Sequence, residues 1–166
     1  MTPYTTLRSK LVALLLAIAL ILTGTLAMPQ NLSPYPGTNI IKTSHGYKAL
    51  FQRLGKAIKK NKGSLVNRAS AALGAKRVLD LSIPGNMVIG VYHPRFAVRV
   101  LKASIPAGIE APIRFYITEN TDKTASLTYR TPSSISTPYE SSDLDAMARE
   151  LNSILASIAR DAANPN

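Results

Sequence analysis

The 166-residue chain contains no cysteine and no tryptophan. The missing cysteine excludes disulfides, thiolate metal sites, a cysteine nucleophile and a lipoprotein anchor together. Histidine is scarce: His45 and His93 are the whole supply. A zinc site would need help from acids, and between Lys42 and Lys102 the one acid is Asp80. No Gly-x-Ser-x-Gly elbow is present, and Gly85, Gly90 and Gly108 fit no phosphate-cradling loop. Glu110, Glu119 and Asp122 could supply paired carboxylates for glycoside chemistry, but turn and strand-end solvation explains them better. The search leaves no catalytic residue, no cofactor and no metal to assign. His45 reads as a residue at a helix start and His93 as one at a strand end.

Acid is scarce in one half only. The segment Lys42 to Lys102 holds 13 Lys/Arg and one acid, whereas residues 103–166 hold 5 Lys/Arg and 8 acids. A net charge of +11 distributed in this way marks a surface for an anionic partner, or a lysine-rich solvated helix face.

The N-terminus carries the strongest signal. Arg8 and Lys10 precede an unbroken apolar run, Leu11 to Leu22, which Gly24 ends. Thr25-Leu26-Ala27 then sets small residues three and one before a cut, so residues 1–27 read as a secretory signal peptide cleaved after Ala27. An uncleaved membrane anchor is the rival reading, since the stretch Leu11 to Met28 is just long enough to span a bilayer. Either way the expected location is extracytoplasmic, periplasmic or secreted. Residues 28–37 form a Pro-rich spacer suited to an extended tether. About 140 residues then remain, enough for one domain over residues 38–162, with a frayed tail at 163–166.

Within that domain, Thr38 to Thr43 reads as a strand at an edge or next to one, with Ser44 placed to cap the helix that follows. Tyr47, Leu50, Phe51, Leu54 and Ile58 share one helical face over Gly46 to Lys62, and Gly63 is the natural stop. Ser64 to Asn67 reads as a strand and Ala69 to Leu79 as a short helix. Asn86 to Tyr92 is an apolar strand bounded by Pro84-Gly85 and His93-Pro94. Arg95 to Ser104 reads as a helix burying Phe96, Val100 and Leu101. Ile113 to Glu119 and Thr124 to Arg130 form a hairpin about Asn120 to Lys123. Alternation sets Ile113, Phe115 and Ile117 on one face with Arg114 and Tyr116 on the other, while Leu127 and Tyr129 share a face. Thr131 to Pro138 reads as a Ser/Thr/Pro loop. Ser142 is placed to cap a last helix whose stripe is Leu144, Met147, Leu151, Ile154, Leu155 and Ile158. The order predicts an α+β fold: a mainly antiparallel sheet with helices packed on one face, preceded by the signal helix.

The ordered set of features resembles the domain of unknown function 302 family. It consists of the Ser44 to Leu54 helix start, the strand ending in Tyr92-His93-Pro94, and Gly108-Ile109-Glu110-Ala111-Pro112-Ile113-Arg114. Asp122 in an acidic turn and Leu127-Thr128-Tyr129 before a Pro-bearing loop complete it. The resemblance runs from about Asn39 to Ile158. It implies a compact α+β domain that often self-associates, hence a homodimer, and it implies no reaction. The family tends to carry Phe-Gly-Asn-Pro where this chain reads Val91-Tyr92-His93-Pro94. A site built on that turn in relatives therefore does not transfer.

The sequence points to a ligand pocket where the His93-Pro94 strand end approaches Arg114 and Tyr129, with Tyr92 beside it. Arg114 would offer a fixed positive fork to an anion. Nucleic acid is a disfavoured partner despite Arg114-Phe115-Tyr116 and Tyr129-Arg130, because an exported protein meets little of it. The expected function is a non-enzymatic binding module of the cell envelope for an anionic small molecule or anionic membrane surface. The alternative is an enzyme of unrecognised type with a site near His93 and Arg114.

Overall fold

The computed structural model describes residues 34–165. The expected signal helix over 1–27, the start of the spacer and Asn166 lie outside the described residues. Five strands form one sheet: β1 (Thr38–Gly46), β2 (Ser64–Ala69), β3 (Asn86–Tyr92), β4 (Ile113–Glu119) and β5 (Thr124–Arg130). Their spatial order is β1-β5-β4-β3-β2, and every neighbouring pair is antiparallel. The hairpin β4–β5 holds the centre, so β1 and β2 are the edges. The α+β expectation matches this architecture.

Alternation along the strands selects the buried face. Met87, Ile89, Phe115, Ile117, Leu127 and Tyr129 all turn to one side, where α1 (Tyr47–Lys60) and the C-terminal half of α5 (Ser142–Ala163) cover them. Leu50, Leu54 and Ile58 of α1 and Leu155, Ile158 and Ala159 of α5 complete that core. A second, smaller cluster joins Phe96 of α3 (Pro94–Ala103), Ala107, and Leu144, Met147 and Leu151 from the N-terminal half of α5. Leu101 is half exposed rather than buried with Phe96, because the inward stripe of α3 passes through Phe96 and Val100. The remaining short helix, α2 (Ala71–Leu79), follows the β2 edge, its first N–H groups donated to Asn86 Oδ1.

Five local expectations are revised. Ser44 does not cap α1: β1 continues through it to Gly46, and Gly46 is the cap residue without a side-chain bond. Thr43 takes over the local polar work, donating to Ala125 O at 2.7 Å and accepting from His45 N. At the other end of α1 the left-handed residue is Lys62 (φ 61°), not Gly63. Lys62 N donates to Lys59 O and Gly63 N to Ile58 O, the paired bonds of a Schellman end. Gly63 serves close packing instead, since a Cβ there would lie 3.2 Å from both Ile58 Cγ2 and Val91 Cγ1. Lys62→Gly therefore raises stability by about 0.5–1 kcal/mol, read as a higher urea midpoint at unchanged slope.

Ser141, not Ser142, caps α5 by accepting from Leu144 N. The stretch expected as a loop holds a short helix, α4 (Pro132–Ser136), and a 3-10 turn (Thr137–Tyr139). Thr131 Oγ1 accepts from Ser134 N, Pro132 starts the turn, and Asn152 of α5 grips Ser133 through two hydrogen bonds. At the C-terminus the helix runs to Ala163, and the Asn164 carbonyl accepts from His45 Nε2 and Arg53 Nη2, so the tail is held as far as Asn164. These donors answer carbonyls that a helix end leaves open.

Glu119 fixes the start of β3. Its carboxylate accepts from Gly85 N at 2.8 Å, and its own N–H returns a bond to Gly85 O. The Gly85 N–H, with help from Lys123 and against burial, holds Glu119 below its ordinary value. A carboxylate depressed in the fold adds stability above its unfolded pKa, and that contribution is lost as pH falls through the folded value. Glu119→Gln is thus expected to be less stable than the parent at neutral pH. In urea melts across pH, the gap should close as pH falls through the folded value of Glu119.

Candidate functional site

The two core clusters do not meet flush. Between them lies a cavity of about 110 Å³. Val91 and Ile113 at one end of the sheet form its floor, Phe96, Ala97 and Val100 of α3 one wall, and Leu144, Met147, Ala148, Leu151 and Leu155 of α5 another. Pro132, Ile135 and Tyr139 close a further side. Its volume is close to the roughly 150 Å³ of apolar cavities that take up benzene, though it opens in part to solvent.

Its polar groups are few. His93 is the cap residue of α3, and its backbone carbonyl accepts from Phe96 N and Ala97 N. Its ring makes no capping bond and stands edge-on to Phe96, with centroids 5.3 Å apart. His93 Nδ1 is buried and has no hydrogen-bond partner. A buried orphan of this kind costs about 1–3 kcal/mol, so it calls for a partner. Glu110 and Tyr139 also line the cavity, joined by a 3.0 Å bond in which the phenol donates. Burial first, then this bond and the carboxylate's charge, push the Tyr139 phenol above its ordinary value. The phenol thus stays protonated and keeps donating at physiological pH.

The four residues nominated by sequence are not gathered in one place. His93 and Tyr92 border the cavity. Tyr129 is 6% exposed and packs in the main core with its ring 5.3 Å from Phe115. Arg114 lies exposed on β4, between Ile113 and Phe115, and alternation turns it to the face away from α1 and α5. Arg114 and Tyr129 therefore lie on opposite faces of the sheet, and the structure does not bring both to the His93-Pro94 strand end. Glu110 reads from sequence as a solvated carboxylate, and nothing local marks Tyr139. Both lie in single 3-10 turns, where no periodic pattern announces a buried side chain.

No curated protein matches the chain. Among solved structures it is similar to an uncharacterized conserved protein DUF302 from Bacillus stearothermophilus. The two share 17% identity and a TM-score of 0.70 across 78% of this chain and 100% of that one. At that identity the likeness is one of fold. The family described as domain of unknown function DUF302 matches residues 40–161, and with that span of the chain inside its pattern, the protein belongs to the DUF302 family.

Proposed function

We propose that this protein is an exported, non-enzymatic binding module whose ligand is a small, mainly apolar molecule carrying one hydrogen-bonding group. The observation that carries this reading is the apolar cavity between the two cores, with His93, Glu110 and Tyr139 among its lining residues. The apolar walls favour a compact ring or branched chain. The Glu110 carboxylate and the Tyr139 phenol, joined by a hydrogen bond, with the His93 ring also among the lining residues, favour a hydroxyl or amine on the ligand. A carboxylate among these groups disfavours an anionic head inside the cavity, so the anionic partner suggested by the basic segment belongs elsewhere on the molecule.

Phenol and toluene make a matched pair of probes. Phenol is expected to bind about five- to tenfold more tightly than toluene, one hydrogen bond's worth. His93→Phe, which removes the ring nitrogens, should narrow the gap between the two probes. Equal affinities in the parent protein would remove the polar part of the reading.

Export is supported by the charged start, the apolar run Leu11 to Leu22 and the Thr25-Leu26-Ala27 site. Mass spectrometry of the protein from its native host should find an N-terminus at Met28. An intact N-terminus in a membrane fraction would favour the anchor, and an intact one in the cytosol would end the export reading.

A further inference from the structure

One surface is built for neither the core nor the cavity. Residues 42–79 contain ten Lys/Arg and no acid. Within that stretch, all six residues of β2 are exposed and α2 has no buried residue. Leu65, Val66, Leu73, Val78, Leu79 and Leu81 are each exposed, Val78 and Leu79 by 71% and 70%. None of them lines the cavity. Exposed leucines and valines scattered singly need no explanation, but six within the 17 residues that run from β2 through α2 do. Cations are interleaved with them. Among the described residues Lys59, Lys62, Arg68 and Arg77 have no carboxylate partner, and Arg68 extends over the Phe51 ring.

The charge decides which partner this surface fits. A second copy docking by the same face would set these cations against their own images, since a two-fold interface is self-paired. Nucleic acid would want aromatic platforms, and residues 64–81 contain no aromatic residue. An anionic bilayer satisfies both halves of the surface: lysine and arginine meet the headgroups while leucine and valine enter the interfacial zone. We propose that β2 and α2, with the lysines at the end of α1, dock the protein on an anionic membrane surface. This docking stands apart from the cavity and from the fate of the N-terminal run.

The absence of cysteine makes the test clean, because one introduced thiol is the only label site. Full-length Val78→Cys and Glu140→Cys proteins carry an environment-sensitive fluorophore and meet vesicles of phosphatidylcholine alone or with phosphatidylglycerol. The Val78 label brightens and shifts blue on the phosphatidylglycerol vesicles only, and the Glu140 label does not respond. Each cation contributes roughly a fivefold gain, so replacing Lys59, Lys62, Arg68 and Arg77 by Gln weakens binding by two to three orders of magnitude. All four side chains are exposed, so the variant keeps its fold and its circular dichroism. Equal response on neutral vesicles, or a Val78 label that stays dark on anionic ones, overturns the proposal. So does a Val78 response that follows protein concentration without lipid, which would assign the face to a second copy.

Discussion

Replacing Phe115 with alanine is expected to lower stability by about 3–5 kcal/mol. Phe115 is fully buried at the middle of the central strand, with Ile89 opposite it on β3 and Tyr129 opposite it on β5. Its ring tilts 53° to that of Tyr129, a contact that adds to the area it buries. Close-packed neighbours on three sides leave the site little room to collapse. For a domain of this size the loss lowers the melting temperature by on the order of 10–20 °C. Phe115→Leu, which refills most of the space, should recover more than half. A small loss on Phe115→Ala would mean that the sheet does not bury this residue against α1 and α5. The substitution also calibrates the domain, because total stabilities of about 5–15 kcal/mol leave little margin.

The strands were legible where the signal was local. Asn86 to Tyr92, Ile113 to Glu119 and Thr124 to Arg130 end where the turn residues Pro84-Gly85, His93-Pro94 and Asn120 to Lys123 say they should. The stripe of α5 was also readable, because Leu144, Met147, Leu151, Leu155 and Ile158 repeat with the helical period. Other features depended on pairing across the fold. Ser44 has the chemistry of a cap, yet β1 pairs Gly46 with Thr124 of β5 and carries Ser44 into the strand. Thr131 to Pro138 has loop composition, yet Asn152, some 19 residues on, holds its first turn.

The candidate site was half legible for the same reason. His93 was found because a strand end before proline is a local mark. Alternation set Tyr129 with Leu127 and Arg114 opposite Phe115, and the β4–β5 register, with Phe115 facing Tyr129, fixes those faces apart. A strand register is a long-range fact, and it sets Arg114 and Tyr129 on opposite faces of the sheet. The cavity itself exists because α3, α4, α5 and two 3-10 turns leave space above Val91 and Ile113. No window of sequence contains that arrangement.

Filling the cavity is expected to separate binding from stability. Ala148 is 2% exposed on α5 and lines the space, and Ala97 faces it from α3. Leucine at Ala148 adds about three carbons, each displacing roughly 0.8 kcal/mol of ligand contact. Phenol affinity should then fall by about 50-fold. The same carbons fill empty space, so the melting temperature should hold or rise rather than drop. Ala97→Leu, placed on the opposite wall, serves as the independent check. A variant that loses both stability and phenol binding would show overpacking at that position, and the second variant then decides. If both variants bind phenol as the parent does, the ligand space lies elsewhere.

The most direct measurement of the central claim is a methyl NMR titration with phenol on the parent protein and on Ala148→Leu. The parent should show saturable shifts at Met147, Leu151, Val91 and Ile113, with Ile117 and Leu127 of the main core unmoved, and the variant should show no saturation. Parent spectra that do not move at any phenol concentration the fold tolerates would contradict it, as would shifts centred away from the cavity and shared by the variant.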